Sequence, residues 1–286
     1  MPKRPLFALL LTAFLLFALP VTAQDDGPEP GWYDTAELTY VTTSGNAEAD
    51  TLGLKNSLQR IWDDAVFSLD AGALRVETTT IARFAQLSGD GVSVGEIKTS
   101  ELTAENYYLR GRYDRNITDR FFWYAGAGWE RNEFAGFTDR LTAVAGVGNI
   151  WWQEDRGHFR TDYGLTYTQQ DDVVINPDFD DSFLGLRLSY DYLNKLTDTT
   201  EFTSVLIVDQ NLDETDDLRA DFINAVAVSM TERLALKASL QLLYDNMPAL
   251  VAVDVVNAAG ELTGDSVLAE LEDLDSLFTL ALVVNF

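Results

Sequence analysis

Few residue types in this chain could make or break a covalent bond. It carries one histidine, His158, and no cysteine, which removes thiolate nucleophiles, disulfides and Cys/His metal sites from consideration. A hydrolase would need a hydroxyl nucleophile within hydrogen-bond reach of that single imidazole. Acids are abundant, with 46 Asp and Glu against 20 Lys and Arg, so no carboxylate pair stands out for acid–base work. Hard-cation ligands crowd 209–217 (DQNLDETDD), the group Asp171, Asp172, Asp178, Asp180 and Asp181, and 270–275 (ELEDLD). None has the Gly and terminal Glu spacing of an EF-hand, and dense carboxylates on loops commonly form a solvated face. The sequence therefore assigns no catalytic residue, metal or cofactor. A net charge of -26 also excludes a nucleic-acid binder that relies on a basic patch.

The elements that would position these groups are strands. Residues 1–23 read as a secretory signal peptide: Lys3 and Arg4, an apolar run over 6–19, then Val21-Thr22-Ala23. That run is too short to span a bilayer as a helix, and no other stretch reaches about 18 apolar residues. Removing the signal makes the chain two charges more negative. Residues 24–31 (QDDGPEPG) form a short acidic lead, expected in the periplasm, and 32–286 the remaining domain.

From Trp32 onward, segments of about ten residues alternate with period two, the length and pattern of a tilted membrane strand. Twelve are predicted: 32–43, 51–62, 65–77, 101–114, 121–131, 140–151, 158–169, 181–193, 200–209, 218–230, 234–244 and 277–286. The ninth and tenth alternate least cleanly. One face carries residues such as Leu38, Tyr40, Leu109, Trp123, Leu141, Leu165, Leu186 and Leu240. The opposite face supplies candidates to line a lumen: Glu37, Lys55, Asp70, Arg110, Arg112, Glu130, Arg160, Asp162, Arg187, Asp191 and Lys237. Aromatics make up 12% of the chain, and many flank the apolar segments, as interfacial girdles require. The last segment sets Phe278, Leu280, Leu282, Val284 and Phe286 on one uncharged face. Such a strand would be a sticky edge in a soluble domain, whereas a barrel pairs it with the first strand.

Loop length sorts by parity. Connections after even strands are short, such as Asp63-Asp64 and 231–233; those after odd strands include 78–100, 170–180 and 245–273. An even strand count with short periplasmic turns and longer outer loops predicts an all-β, transmembrane, antiparallel up-and-down β-barrel of about 12 strands. On that frame His158 follows a short turn, at the wrong end for a lipid hydrolase that works at the outer leaflet. An enzyme is not expected.

At Tyr40-Val-Thr-Thr-Ser-Gly-Asn46 the chain resembles a family of uncharacterised bacterial outer-membrane proteins labelled salt-induced outer membrane proteins. Shared features are the Ser44-Gly45-Asn46 turn, the Tyr-rich Tyr107-Tyr-Leu-Arg-Gly-Arg-Tyr113, the Gly-rich Ala143-Val-Ala-Gly-Val-Gly148 and a terminal aromatic. The likeness spans the mature chain and implies a Gram-negative outer-membrane barrel; it transfers no functional residue. The terminal strand also resembles the assembly signature of bacterial outer-membrane barrels, which implies the barrel-assembly machinery as a partner. Outer-membrane lipid and lipopolysaccharide are the other partners expected, with no nucleic acid and a monomeric state. Two functions fit the mixed-charge interior. One is a narrow passive channel for ions or small polar solutes. The other is a non-conducting envelope barrel, its inward charges neutralised in pairs and its acidic loops binding divalent cations or lipopolysaccharide. A lipid hydrolase is a minor third.

Overall fold

A computed structural model describes residues 29–43, 48–88, 91–174, 180–256 and 262–285. The stretch 1–23 expected to be a signal peptide, most of the acidic lead, Ser44-Gly45-Asn46, Asp178 and Phe286 lie outside these residues. Fourteen strands follow one another: β1 (Gly31–Thr43), β2 (Glu48–Ile61), β3 (Ala65–Ser88), β4 (Gly91–Thr118), β5 (Phe121–Asn132), β6 (Phe137–Glu154), β7 (Gly157–Asp172), β8 (Ser182–Lys195), β9 (Thr200–Asn211), β10 (Leu218–Ser229), β11 (Leu234–Asp245), β12 (Leu250–Val256), β13 (Leu262–Glu270) and β14 (Leu274–Asn285). A 3-10 turn, Glu133–Ala135, joins β5 to β6.

Twelve of these strands close into a barrel in the order β1-β14-β11-β10-β9-β8-β7-β6-β5-β4-β3-β2. Every neighbouring pair is antiparallel, and apart from the β1–β14 closure all are joined along the chain. Closure satisfies backbone groups between strands, the one way a sheet can cross a bilayer. Among the described residues no helix is long and apolar enough to cross a membrane.

Alternation sets the two faces. On β14, Leu280 is 57% exposed while its neighbour Ala281 is 4% exposed. Leu38 and Tyr40 on β1, Leu52 and Leu54 on β2, Leu165 on β7, and Leu184, Leu186 and Leu188 on β8 likewise stand outward. Together they form an apolar outer belt, which is what a lipid-facing wall requires and a water-facing wall does not. The two untidy strands have a simple cause. Ile223 and Ala225 on β10 are buried on the inner face, and Ile223 sits opposite Val205 of β9. Here the interior itself is apolar, so the two faces look alike in sequence.

Two expected loops are corrected. The polar stretch 78–100 is a continuation of β3 and β4, paired to Ser88↔Gly91. Neighbours β2 and β5 leave this ribbon at Thr79 and Tyr107, so it runs on as a two-stranded hairpin for roughly 30 Å. Beyond those points no barrel strand flanks it among the described residues, so the inside–outside alternation of the wall does not extend to it. Within the acidic segment 245–273, β12 and β13 pair antiparallel in a two-stranded sheet separate from the barrel sheet.

Candidate functional site: the barrel interior

The inner face is built by the same alternation that builds the belt. Residues one position away from Leu38, Leu54 and Leu109 must point inward. Glu37 and Lys55 are direct cross-strand partners on β1 and β2, both buried. The Lys55 ammonium lies 3.8 Å from Glu37, and Lys237 of β11 donates to the same carboxylate at 2.7 Å, passing behind β14. Asp70, on β3, is buried beside them. Glu37, Lys55 and Asp70 line a cavity of about 10 Å³ together with Thr35, Asn56, Ser57 and Tyr108, the space of a single water.

A second set crosses the lumen. Arg112 on β4 donates through Nε to Asp114 at 2.6 Å and through Nη1 to Asp162 on β7 at 2.7 Å. Arg160 on β7 returns to Asp114 at 3.3 Å and pairs with Asp191 on β8 at 3.2 Å. Two strands, β5 and β6, separate β4 from β7 in the wall. The Arg112–Asp162 and Arg160–Asp114 bonds are therefore chords through the interior, whereas Arg112–Asp114 lies along one strand and Arg160–Asp191 joins direct neighbours on β7 and β8. Nearer the long loops, Arg110 and Asn106 both donate to Glu130, at 3.0 and 3.1 Å. Arg187 grips Asp209 with two bonds of 2.7 Å, the bidentate geometry that makes such pairs strong. Arg219 of β10 binds Asp217 and reaches Gln170 on β7, another chord, at 3.4 Å. In the β9–β10 loop, burial opposes the charge on Asp217. Arg219 and the Asn211 amide outweigh it and hold that carboxyl below the usual carboxylate range.

All eleven residues singled out from the sequence thus sit on the inner face of strands as half-buried or buried groups. Ten make ion pairs within that set or with Asp114 and Asp209. Those two acids were missed, because each lies near the end of a predicted strand, where facing is least defined. His158 is not a free rim residue: its Nε2 lies 3.2 Å from Asp191, at the edge of the same network. Among the described residues no three acids converge as a metal site.

The larger omission is aromatic. Phe122 and Tyr124 on β5 and Tyr108 on β4 are buried inside the barrel. Tyr124 lies under the Arg112 guanidinium at 4.0 Å from the ring centre, a cation–π contact. Glycines make the room. A Cβ at Gly146 or Gly164 would run into Tyr124, at Gly148 into Phe122, and at Gly72 into Tyr108. The Gly-rich run of β6 is a seat for the rings of β5. A residue of type Phe inward and Gly opposite is a readable signal once two strands are known to be neighbours.

Comparison with known structures returns membrane-type barrels of low similarity. A Pseudomonas aeruginosa FadL homologue aligns at 11% identity and TM-score 0.36, over 88% of this chain and 75% of that one. A bacterial polysaccharide outer membrane secretin aligns at 9% and 0.40, over 89% and 97%. An anion-selective porin from Comamonas acidovorans aligns at 9% and 0.37, over 90% and 99%. No curated protein matches the chain. The family model described as "Protein of unknown function, DUF481" matches residues 36–255, most of the barrel, and the chain belongs to that family.

Proposed function

We propose that the chain is an outer-membrane protein, exported by a cleaved signal peptide over 1–23, whose barrel is shut to solutes and acts as a non-conducting envelope component. The observation that carries this reading is the Arg112–Asp162 chord, seated on Tyr124 and flanked by Phe122. A passive pore needs a continuous wet path, and paired charges packed on aromatic rings leave little room for one. The channel reading requires these pairs to part.

Its partners follow from the two surfaces. The apolar belt meets lipid. The outward residues Phe278, Leu280, Leu282 and Val284 present the face that the barrel-assembly machinery would read, with Phe286 two residues further along the chain. The acidic loops bridge lipopolysaccharide through divalent cations, and the barrel works as a monomer. Single-channel recording in a planar lipid bilayer tests the central claim. Refolded protein is expected to be silent, and Tyr124→Ala with Phe122→Ala is expected to conduct. Discrete wild-type steps with a reproducible ion preference would establish the channel instead. Chelation that changes neither thermal stability nor lipopolysaccharide retention would remove the cation bridge.

A further inference from the structure

The strand order sets two connections face to face. Strands β11 and β14 are adjacent, and β5 and β6 lie six places away around the twelve, on the opposite wall. The chain that leaves β11 at Asp245 and enters β14 at Leu274 nevertheless reaches the turn between β5 and β6. A Cβ at Gly136 in that turn would collide with Ala249 and come to 3.6 Å from Leu271. The Leu271 amide donates to the Ala249 carbonyl at 3.0 Å, so the outgoing and returning arms run side by side. Two passes of chain, 246–249 and 271–273, therefore cross the mouth at this end of the barrel. Strands β12 and β13 grow out of their junction.

The two sides of this crossing are held differently. On the near side the Asp245 amide donates to the Asp273 carbonyl at 2.9 Å, and the Met247 amide to the Asp245 carboxylate at 3.0 Å. Asn246 is tied to the β9–β10 connection twice, by its amide to the Leu218 carbonyl at 3.0 Å and by Nδ2 to the Asp216 carbonyl at 2.8 Å. On the far side, among the described residues, no hydrogen bond or ion pair joins the arms to the turn. What holds them there is the packing of Ala249 and Leu271 on Gly136, which is buried and has φ of 88°. The Gly136 carbonyl is already taken by the Val173 amide at 2.9 Å. A segment bonded at one end and packed at the other opens most cheaply at the packed end. Just inside the mouth, Gln170 Oε1 accepts from Arg140 at 2.6 Å and from Arg219 at 3.4 Å.

We infer that residues 246–249 and 271–273 form a lid over this mouth, hinged at Asn246 and latched on Gly136, whose release exposes the Arg140–Gln170–Arg219 layer to solutes in the medium. The lid goes beyond the shut lumen proposed above. It adds a movable closure at the mouth to the fixed one at the Arg112–Asp162 chord, and its geometry requires neither a bilayer nor that chord.

The chain has no cysteine, so single reporters in the full refolded protein can be read by their rate of reaction with a charged methanethiosulfonate. Thr168→Cys lies on the inner face of β7, two residues from Gln170, and that position is 5% exposed. Thr203→Cys on β9, at an 8% exposed position, reports on the opposite end of the interior. Ser266→Cys on β13 is exposed and lies outside the lid. In the native chain both inner reporters are expected to react far more slowly than Ser266→Cys. Ala249→Leu overfills the latch from the lid, and Gly136→Ala from the turn. Each is expected to speed Thr168→Cys about tenfold by local opening, with Thr203→Cys and the folded band on a semi-native gel unchanged. Replacing 250–270 by two glycines keeps both arms and is expected to leave Thr168→Cys slow. Thr168→Cys reacting as fast as Ser266→Cys in the native chain would show that no lid closes the mouth. No acceleration in either latch variant would overturn the latch on Gly136. So would equal acceleration of Thr203→Cys, which would mean that the whole wall loosens. Fast reaction after loss of 250–270 would assign the closure to β12 and β13 and overturn the role of the arms.

Discussion

Arg112 and Asp162 meet at 2.7 Å across the barrel interior, though the strands that carry them are separated by two others in the wall. Asp162 is buried and also accepts from Ser189 at 3.3 Å. Arg112→Ala would strand this carboxylate in the interior, and removing one partner of a buried pair costs about 3 kcal/mol or more. The temperature at which the folded band converts to the unfolded one on a semi-native gel is expected to drop. Replacing both partners, Arg112→Met with Asp162→Leu, is expected to recover part of that loss, since no charge is then left unpaired. A double variant worse than either single one would show that the chord supports the wall by geometry rather than by charge balance.

Glu37 is shared by two lysines. Glu37→Gln deprives both Lys55 and Lys237 of this carboxylate, whereas Lys237→Met leaves the Lys55–Glu37 pair in place. The first substitution is expected to lower heat resistance more than the second. Equal effects would mean that Lys55 is held by its other surroundings.

Gly72 faces Tyr108 with no space for a methyl group, and the near atoms all belong to that side chain. Gly72→Ala is expected to destabilise by about 1–3 kcal/mol, the usual cost of overpacking. In a Tyr108→Leu background the same substitution is expected to cost less, a coupling that a double-mutant cycle measures. Additive effects would remove the claim that glycine is there to seat the ring.

Leu165 stands outward on β7, with Ala145 and Leu186 beside it on the neighbouring strands. If this face meets lipid, Leu165→Arg near the middle of the belt costs about 2–4 kcal/mol. The readout is urea unfolding in vesicles compared with wild type. A neutral result would place this part of the belt outside the hydrocarbon.

Much of this architecture is legible residue by residue. The turn at Asp63-Asp64, the alternation of Leu38 and Tyr40 with Glu37 and Thr39, and the sorting of loops by parity are local patterns. Side-chain direction on a strand flips at each residue, so one apolar face declares itself within a single segment. The inward position of Glu37, Lys55, Arg112 and Asp162 follows from the same rule. Alternation was uninformative where its premise fails. Strands β9 and β10 carry apolar residues on both faces where Ile223 and Val205 meet inside, and the β3–β4 ribbon beyond Thr79 leaves the barrel wall, so its residues have no inside and outside to sort.

Closure decided the rest. Which inward charge finds which partner depends on the shear of the barrel and the chords across it, so Arg112 meets Asp162 some fifty residues away while Lys55 meets Glu37 beside it. The fit of Phe122 and Tyr124 over Gly146, Gly148 and Gly164 exists only when β5, β6 and β7 lie side by side at one register. The seam is the plainest case. Strands β1 and β14 each have a good sequence and a full partner on one side, and their failure to pair beyond Leu38 and Leu282 is a property of how the ends of the sheet are brought together. Sequence set the faces of the strands, since facing is local; the curved sheet set the contacts between them, since those join residues that only closure makes neighbours.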